Sequence, residues 1–503
     1  MSLSRRTRED YEGEIRNNKR LHRVSRRRRD SGQPSPPPIP SSFSTLDDMI
    51  KAVRCDDSHD QLEATTRFKD ILSLSQGFKT PIDVVDQARL IPCFVQFLER
   101  DDQPKLQLTA AWALTNVACG TSEQTRFIAD LGAVALFVEF LTSGTDELKK
   151  EALWALGNIA GDSASCRDIV LDHGALSPLL PMLNPDSEIS TLRIATWTLS
   201  NFYQGKPPRV DLEQVKPALP ALQKLIHLTD EEIVTDACWA LSYLSDGPIE
   251  KIEAVVELGV CPRLAELLLH LSDDVIIPAI RTLGNIASGN EDLTQLVIDN
   301  QVLPRLYRLV TQNRNKKVLK EACWTISNIT AGNGTQKMAV IEANLIVPLV
   351  YLVHYAEFDI RKEAAWAIAN ATSTGSDDQQ IKVLVFQGCI QPLCDLLVCA
   401  DPKIVRVCLE GLENILYVGE ADKDDDGVNL FAQMVNQCGG LDNIEFLLTY
   451  NNSENYERSM AFLERFWSEE FDLGDLYDLR NDLEKFSLEI EPDLSEVDNH
   501  SDS

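Results

Sequence analysis

A short pattern, tryptophan followed four residues later by asparagine, returns along most of this 503-residue chain at intervals of 42 to 44 residues. Five copies are complete: Trp112-Ala-Leu-Thr-Asn116, Trp154-Ala-Leu-Gly-Asn158, Trp197-Thr-Leu-Ser-Asn201, Trp324-Thr-Ile-Ser-Asn328 and Trp366-Ala-Ile-Ala-Asn370. Three altered copies keep the same spacing: Trp239-Ala-Leu-Ser-Tyr243, Arg281-Thr-Leu-Gly-Asn285 and Glu410-Gly-Leu-Glu-Asn414. Self-similarity at a fixed period of this length indicates a chain built by stacking copies of one structural unit.

Each period also contains the signals of more than one helix. Before each tryptophan segment the chain repeats a helix stop, a tight turn and a proline near a new helix start, as in His173-Gly-Ala-Leu-Ser-Pro-Leu179. Glycine or asparagine supplies the left-handed turn residue, and proline suits the first helical turn. A short helix, a proline-started helix and a longer tryptophan-bearing helix form the plan of the armadillo repeat. We therefore predict an all-α fold, an armadillo-repeat right-handed superhelical solenoid with flexible N- and C-terminal tails.

Composition shifts divide the chain into four predicted segments. Residues 1–30 are strongly basic, and residues 31–44 form a Pro/Ser-rich linker, because clustered prolines prevent helix formation. Residues 45–468 are predicted to hold about ten armadillo repeats. Residues 469–503 are rich in acidic side chains and lose the repeat pattern, so we predict a mostly disordered tail.

The charge distribution narrows the class of ligand. The formal net charge is −30, although the first 30 residues are basic, so the body of the chain carries the acidic excess. An acidic body favours a basic ligand and argues against direct binding of nucleic acid. A basic head on an acidic body could also bind to its own chain.

Other features exclude several function classes at this stage. No apolar run approaches the roughly 20 residues that span a bilayer, and no apolar leader follows the first basic residues, so we expect neither membrane insertion nor secretion. The twelve cysteines are scattered through apolar segments, which favours free thiols over disulfides or zinc. A phosphate-binding glycine loop, a metal-ligand cluster and a nucleophile–base motif are not found. We therefore predict a protein that is not an enzyme and that uses no cofactor or metal.

The tryptophan–asparagine pairs predict a groove for an extended peptide. Residues four apart share one face of a helix, so stacked repeats would align the pairs into two rows. Asparagine amides can bond to any peptide backbone, and tryptophan faces can hold the stems of lysine or arginine. Carboxylates lie about one turn from several pairs, namely Glu151, Asp162, Asp236, Asp246 and Glu363. Two alternatives stay open: the asparagine caps a turn between repeats, and each carboxylate is simply a solvated charge.

These residues resemble one family, the importin-α (karyopherin-α) adaptors of nuclear import. The resemblance extends from about Thr45 to Trp467 and includes the string Cys119-Gly-Thr-Ser-Glu-Gln-Thr125. It implies a major site for nuclear localisation signals formed by Trp112, Asn116, Gly120, Thr125, Trp154, Asn158, Asp162, Trp197, Asn201 and Asp236. It implies a minor site formed by Arg281, Asn285, Glu291, Trp324, Asn328, Glu363, Trp366 and Asn370. In the major site, Gly120, Thr125 and Asp162 would complete a lysine pocket through a carbonyl, a hydroxyl and a carboxylate.

The altered middle copies have a physical consequence. A cation at Arg281, beside the missing amide at Tyr243, repels basic side chains and should split one long groove into two sites. Two sites suit bipartite signals, in which the second basic cluster gains from effective concentration.

The resemblance also implies partners for the head and for the whole chain. The run Arg26, Arg27, Arg28 and Arg29 resembles a diverged importin-β-binding segment that also competes with cargo for the groove; a nucleic-acid-binding arm is the rival interpretation. Expected partners are importin-β, cargo proteins with basic mono- or bipartite signals, an export receptor with Ran-GTP, and nuclear pore proteins as further candidates. Expected locations are the cytoplasm, the nucleus and the nuclear envelope. The alternative of another class is an armadillo scaffold of the catenin kind, acting in signalling or adhesion.

Overall fold

The computed structural model describes residue 43 and residues 45–74, 85–86, 89–204, 210–373, 376–425, 427–449 and 453–467. The predicted basic head, nearly all of the Pro/Ser-rich linker and the acidic tail lie outside the described residues, and so do Arg26 to Arg29. The described residues are helical, with no β-strand among them. They belong to two compact units that divide between Gly289 and Asn290.

The first unit contains sixteen described helices of four residues or more. They are α1 (Leu46–Val53), α2 (Ser58–Leu74), α3 (Ile91–Leu98), α4 (Pro104–Val117), α5 (Ser122–Asp130), α6 (Ala133–Ser143), α7 (Asp146–Ala160), α8 (Ala164–Asp172), α9 (Leu176–Leu179), α10 (Ile189–Tyr203), α11 (Leu212–Val215), α12 (Leu219–Leu225), α13 (Glu231–Leu244), α14 (Ile249–Val256), α15 (Cys261–Leu267) and α16 (Asp273–Ala287). Short 3-10 turns follow α9, at Leu180–Leu183, and α11, at Lys216–Ala218.

The second unit continues the same alternation of short and long helices. Its described helices are α17 (Glu291–Asp299), α18 (Val302–Gln312), α19 (Lys316–Thr330), α20 (Gly334–Glu342), α21 (Ile346–Tyr355), α22 (Phe358–Thr372), α23 (Asp378–Phe386), α24 (Ile390–Asp395), α25 (Pro402–Ala421), α26 (Leu430–Gln437), α27 (Gly440–Leu447) and α28 (Ser453–Phe466). The complete repeats have three helices each, H1, H2 and H3, and H3 is the long one that carries the tryptophan position.

Local sequence explains where these helices begin. Thr121 and Gln124 form a capping box at the start of α5, so two orphan backbone N–H groups find partners. Between H1 and H2 the predicted left-handed turn residue is present as Gly132 (φ 83°) and as Asn344 (φ 57°). Between Asp299 and Val302 an asparagine, Asn300, is present, but the residue in the left-handed conformation is Gln301, with φ 58°. The turn geometry is therefore retained even where neither glycine nor asparagine occupies it.

The core of each unit is formed mainly by H3 helices packed against one another. In the first unit α2, α4, α7, α10, α13 and α16 contact each other in that order, and in the second α19, α22, α25 and α28 do. Small residues make this close approach feasible; Ala111, Ala152 and Ala195 are fully buried on their H3 helices. Each H3 inside these two series therefore has an H3 neighbour on both sides, which fixes the residues that line the remaining face.

Within the described part of the chain, no single helix is long and apolar enough to cross a bilayer. One bent pair, Gly334–Glu342 with Ile346–Tyr355, passes the same test only when its two helices are taken together across a 77° bend.

Candidate peptide-binding site

The predicted ladder residues all lie on H3 helices, tryptophan one turn before asparagine. The asparagine side chains are buried, from 1% exposed at Asn328 to 7% at Asn116. Trp197, Trp324 and Trp366 are also less than 9% exposed. Asn residues with so little exposure need hydrogen-bond partners, so their contacts decide what the ladder does.

The asparagine amides connect successive repeats. Nδ2 of Asn158 donates to the Thr115 carbonyl at 3.0 Å, and Nδ2 of Asn201 donates to the Gly157 carbonyl at 3.0 Å. The same bond recurs from Asn285 to Ser242 and from Asn370 to Ser327, at 2.9 Å each. In every case the acceptor is the residue just before the ladder asparagine, or Tyr243, of the preceding repeat. These ladder asparagines therefore do have a structural role between repeats, as one of the two alternatives held, and this role uses one N–H of each amide.

Three ladder amides have an atom that no hydrogen bond within the described residues uses. Oδ1 of Asn158, Oδ1 of Asn370 and Nδ2 of Asn116 are buried and have no hydrogen-bond partner among the described residues. An unpaired buried polar atom costs about 1–3 kcal/mol. One donor and two acceptors are therefore held in fixed positions on the H3 helices without a use inside the described fold.

The tryptophan row packs closely at its centre. The Trp154 and Trp197 rings have centroids 4.9 Å apart and planes inclined by 46°, so they form one continuous apolar platform. Trp197 lies over Gly157: a Cβ built there would meet its Cζ3 atom at 2.3 Å. One turn further, a Cβ at Gly161 would lie 3.2 Å from Cγ of Asn201. Gly157 on α7 and Gly161, which caps its C-terminus, thus accommodate the tryptophan–asparagine pair of the next repeat.

Two cations of the chain itself lie on the row. Nζ of Lys69, on α2, lies 4.6 Å from the centroid of the Trp112 ring. The guanidinium of Arg281, on α16, lies 5.2 Å from the Trp239 centroid, and Tyr243 stacks on the same ring at 5.6 Å. Arg281 is only 2% exposed. The row of the first unit therefore carries an intramolecular cation–π contact at its first tryptophan and another at its last.

The residues of the predicted lysine pocket meet at the N-terminus of α5. Oγ of Ser122 donates to Oδ1 of Asp162 at 3.0 Å, although 40 residues separate them. The Thr125 hydroxyl is buried and lies 3.2 Å from the Ala118 carbonyl and 3.1 Å from the Thr121 carbonyl, on either side of Gly120. The turn at Gly120, the hydroxyl of Thr125 and the carboxylate of Asp162 thus come from two adjacent repeats and lie near the start of α5.

The predicted minor-site residues fall on both sides of the division at Gly289. Arg281 and Asn285 belong to the first unit and are described there; Glu291, Trp324, Asn328, Glu363, Trp366 and Asn370 belong to the second. In the second unit Glu363 is 2% exposed on α22, three residues before Trp366. Burial, and to a lesser extent this carboxylate, raises the pKa of the Cys323 thiol. Glu291 is exposed and accepts from Nδ2 of Asn333 at 2.9 Å.

Among the remaining predicted residues, Asp236 is half-buried on α13, three residues before Trp239. Three further residues, Lys69, Gly157 and Gly161, shape the row and were not predicted from the sequence. The two glycines could have been found, because their spacing of four matches the spacing of the pair that packs on them. Lys69 gave no comparable signal, since its repeat lacks the tryptophan.

The comparisons with known proteins agree with this architecture. The armadillo/beta-catenin-like repeat family matches residues 79–119, 121–161, 163–202, 248–288, 290–331, 335–373 and 377–417, and an atypical armadillo repeat matches 429–476. The crystal structure of an engineered protein superposes with a TM-score of 0.74 at 29% identity, over 84% of this chain and 98% of that one. The fold and the ladder thus define an armadillo-repeat protein, which confirms the predicted fold class.

Sequence relatives define the family within this class. Importin subunit alpha-4 from Arabidopsis thaliana is 55% identical over 496 residues, which are 95% of this chain and 91% of that protein. Importin subunit alpha-1a from Oryza sativa is 56% identical over 478 residues, 93% of this chain and 90% of that protein. The chain belongs to the importin-α family. It is accordingly a non-enzymatic nuclear-import adaptor that shuttles between cytoplasm and nucleus.

Proposed function

We propose that the ladder binds extended Lys/Arg-rich peptides, the nuclear localisation signals of cargo proteins, and that the basic head links the loaded adaptor to importin-β. The observation that carries this proposal is the set of buried ladder amide atoms without partners at Asn116, Asn158 and Asn370. An extended peptide backbone offers the N–H and C=O groups that pair with such donors and acceptors. Membership of the importin-α family supports the same ligand class.

The amide chemistry fits a ligand of variable sequence. One N–H of Asn158 is fixed on the Thr115 carbonyl, so the amide plane is held and its Oδ1 atom can accept from a ligand N–H. Because this contact involves only backbone groups of the ligand, it does not depend on which side chains the signal carries. The preorganised amide also loses little conformational freedom on binding.

The rings and carboxylates select basic side chains. Stems of lysine or arginine pack on the Trp154–Trp197 platform, where cation–π attraction contributes about 0.5–2 kcal/mol for each contact. Asp162 accepts the key lysine of the major site, with Gly120 and Thr125 completing that pocket. Asp236 adds negative charge at the far end of the row, and Glu363 does the same beside Trp366 in the minor site.

The two sites serve bipartite signals. Arg281 occupies the face of Trp239, so the row offers no continuous path for basic side chains through that repeat. A peptide with two basic clusters would place one on the major-site residues and the other on the minor-site residues. The linker between the clusters raises the effective concentration of the second contact.

The segments outside the described residues complete the proposed cycle. The head, residues 1–30, binds importin-β, and its run from Arg26 to Arg29 competes with cargo for the groove when importin-β is absent. The linker 31–44 allows the head to reach the groove, and residues 45–468 form the array of armadillo repeats. An export receptor with Ran-GTP returns the empty adaptor to the cytoplasm, and nuclear pore proteins at the nuclear envelope are further partners.

A charge reversal at Asp162 tests the major site. Asp162→Lys places a cation where the key lysine would bind, so we expect affinity for a monopartite basic peptide to fall at least tenfold, which is about 1.4 kcal/mol. Asp172→Lys is the matched control, because Asp172 is exposed at the end of α8, the first helix after Asp162. Isothermal titration calorimetry with the basic peptide and an acidic peptide of the same length gives the readout.

Equal loss in both variants would mean that only the general acidity of the surface attracts the peptide. Unchanged affinity for the basic peptide in Asp162→Lys would remove Asp162 from the site. Tighter binding of the acidic peptide by the unaltered chain would instead favour a scaffold of the catenin kind.

A further inference from the structure

The tryptophan row of the first unit begins with a contact that the repeat pattern does not contain. Lys69 lies on α2, the H3 helix of a repeat that has no tryptophan, and its ammonium lies over the ring of Trp112. Lys69 also forms an ion pair with Asp70, with Nζ 3.2 Å from Oδ1, and its side chain is 20% exposed. The first ring of the row is thus already in contact with a cation of the same chain.

We propose that Lys69 is a specificity-determining residue that ends the basic-residue row at Trp112. It disfavours lysine or arginine at the ligand position nearest to α2 and favours a neutral or acidic residue there. The inference rests on the proposed function, because it concerns the register of a basic peptide on the same ladder. It therefore limits the length of the basic cluster in the ligand: a lysine or arginine beyond the ligand residue that packs at Trp112 is disfavoured.

Two physical effects act in the same direction. The Trp112 ring contributes cation–π attraction to Lys69, so a ligand cation must displace this contact or do without it. A ligand cation beside the Lys69 ammonium also experiences like-charge repulsion, which falls with solvent screening at a partly exposed site. Asp70 offsets part of that repulsion. We therefore expect selectivity of several-fold at one ligand position and not a complete block.

Arg281 gives an internal comparison at the other end of the row. Its guanidinium lies on Trp239 at 5.2 Å, against 4.6 Å from Lys69 Nζ to Trp112. Arg281 stands at a tryptophan position of the repeat pattern and is 2% exposed, whereas Lys69 reaches the row from a repeat without one. The two contacts limit the same four-tryptophan row, Trp112, Trp154, Trp197 and Trp239, from opposite ends.

A peptide panel tests this inference on the full chain. Each peptide carries the same basic core, and one flanking position at either end is lysine, alanine or glutamate. Dissociation constants are measured by fluorescence anisotropy for the unaltered chain, for Lys69→Gln and for Lys69→Glu. Lys51→Glu is the matched control, since Lys51 is exposed on α1 of the same repeat.

The readout is the ratio of the dissociation constants of the lysine and glutamate peptides within one variant. We expect the unaltered chain to favour glutamate about threefold at one flank only, consistent with a partly screened charge pair. The ratio should approach one in Lys69→Gln and invert in Lys69→Glu, while Lys51→Glu keeps the original ratio. Because each ratio is taken within one variant, a smaller folded fraction or competition from the head cancels.

The outcomes separate the two proposals. If the unaltered chain does not bind the basic core at all, the proposed function fails. If the core binds and the flank ratio is the same in Lys69→Glu as in the unaltered chain, the role of Lys69 is wrong and the groove assignment stands.

Discussion

At the scale of single residues, Asn158 connects stability with binding. Its Nδ2 atom bonds to the Thr115 carbonyl of the preceding repeat, and its Oδ1 atom has no partner among the described residues. Removing the side chain would leave the Thr115 carbonyl with only the weak thiol donor of Cys119, whose Sγ lies 3.3 Å from it, and would also remove the proposed ligand contact. Binding data for an Asn158 variant therefore need a parallel stability measurement. Substitutions at Gly157 and Trp197, made singly and together, separate the two effects.

Gly157→Ala tests whether the position of Trp197 matters for binding. The new methyl group would lie 2.3 Å from Cζ3 of Trp197, so the ring has to move. Overpacking of this kind costs about 1–3 kcal/mol, against a gain of about 1 kcal/mol from helix propensity. We expect a lower free energy of unfolding and at least threefold weaker binding of a basic peptide. Denaturant titration and calorimetry measure the two quantities.

A second substitution provides the control for Gly157→Ala. Trp197→Phe in the same background shortens the ring and should restore stability without restoring peptide affinity. Gly161→Ala, where the new Cβ lies 3.1 to 3.3 Å from its nearest neighbours, should have a smaller effect. A Gly157→Ala variant that is more stable than the unaltered chain would show that helix propensity dominates and that Trp197 can move freely.

The sequence predicts the ladder residues but not their mutual contacts. The period identifies each tryptophan and asparagine, because residues on one helical face recur at fixed spacing. The bond from Asn158 to Thr115 spans 43 residues and depends on how closely α4 and α7 approach, which no local pattern encodes. Lys69 was missed for the same reason: its contact with Trp112 arises from the packing of α2 on α4.

At the scale of helices, buried cations on H1 helices bond to the chain just after H3 helices. Nη1 of Arg167 donates to the Gln204 carbonyl, which follows α10, at 3.1 Å. Nζ of Lys337 donates to the Ser373 carbonyl, which follows α22, at 2.8 Å, and to its Oγ at 2.9 Å. The last carbonyls of a helix lack partners within it and carry partial negative charge, so a cation is favourable there. Burial lowers the pKa of Lys337 to about 8.

Because of this lowered pKa, we expect the contribution of Lys337 to the free energy of unfolding to change with pH. The pKa is lower in the folded chain than the unfolded value of 10.5, so the unfolded state binds more protons between pH 8 and 10.5. The stability penalty of burying the charge is fully present below pH 8 and disappears as the pH rises to 10.5. The unaltered chain should gain up to about 3 kcal/mol over this range relative to Lys337→Met.

Differences in stability between variants cancel the effects of the other groups that titrate over the same pH range. Denaturant midpoints are measured at several pH values for the unaltered chain, for Lys337→Met and for Lys317→Met, where Lys317 is exposed on α19. The difference between the unaltered chain and Lys317→Met should stay constant with pH. A constant difference for Lys337→Met as well would mean that Lys337 has an ordinary pKa in the folded protein.

At the scale of the whole molecule, the two compact units each present their own part of the ladder. The first holds Trp112, Trp154, Trp197 and Trp239, and the second holds Trp324 and Trp366. The array and the tail are acidic whereas residues 1–30 are basic, so the head is the part of the chain most similar to the proposed ligand. This similarity is the basis for the proposed competition between head and cargo.

Deletion of residues 1–43 tests that competition. A tethered basic segment has a high effective concentration at the groove, so its removal should tighten the binding of a monopartite basic peptide. A full-length chain in which Arg26, Arg27, Arg28 and Arg29 are replaced by alanine should bind as tightly as the deletion. Calorimetry that finds equal affinities for all three proteins would rule out autoinhibition by the head.

The bond from the ladder asparagines Asn158, Asn201, Asn285 and Asn370 to the preceding repeat has a consequence for evolution. A substitution at Asn158 or Asn370 is selected against twice, because it disturbs both the stacking of repeats and the proposed ligand contact. Cargo preference can therefore diverge most readily at charged positions such as Lys69 and Asp162, which take no part in the amide-to-carbonyl bonds between successive H3 helices. Natural variation in specificity should accumulate at those positions while the asparagine row drifts slowly.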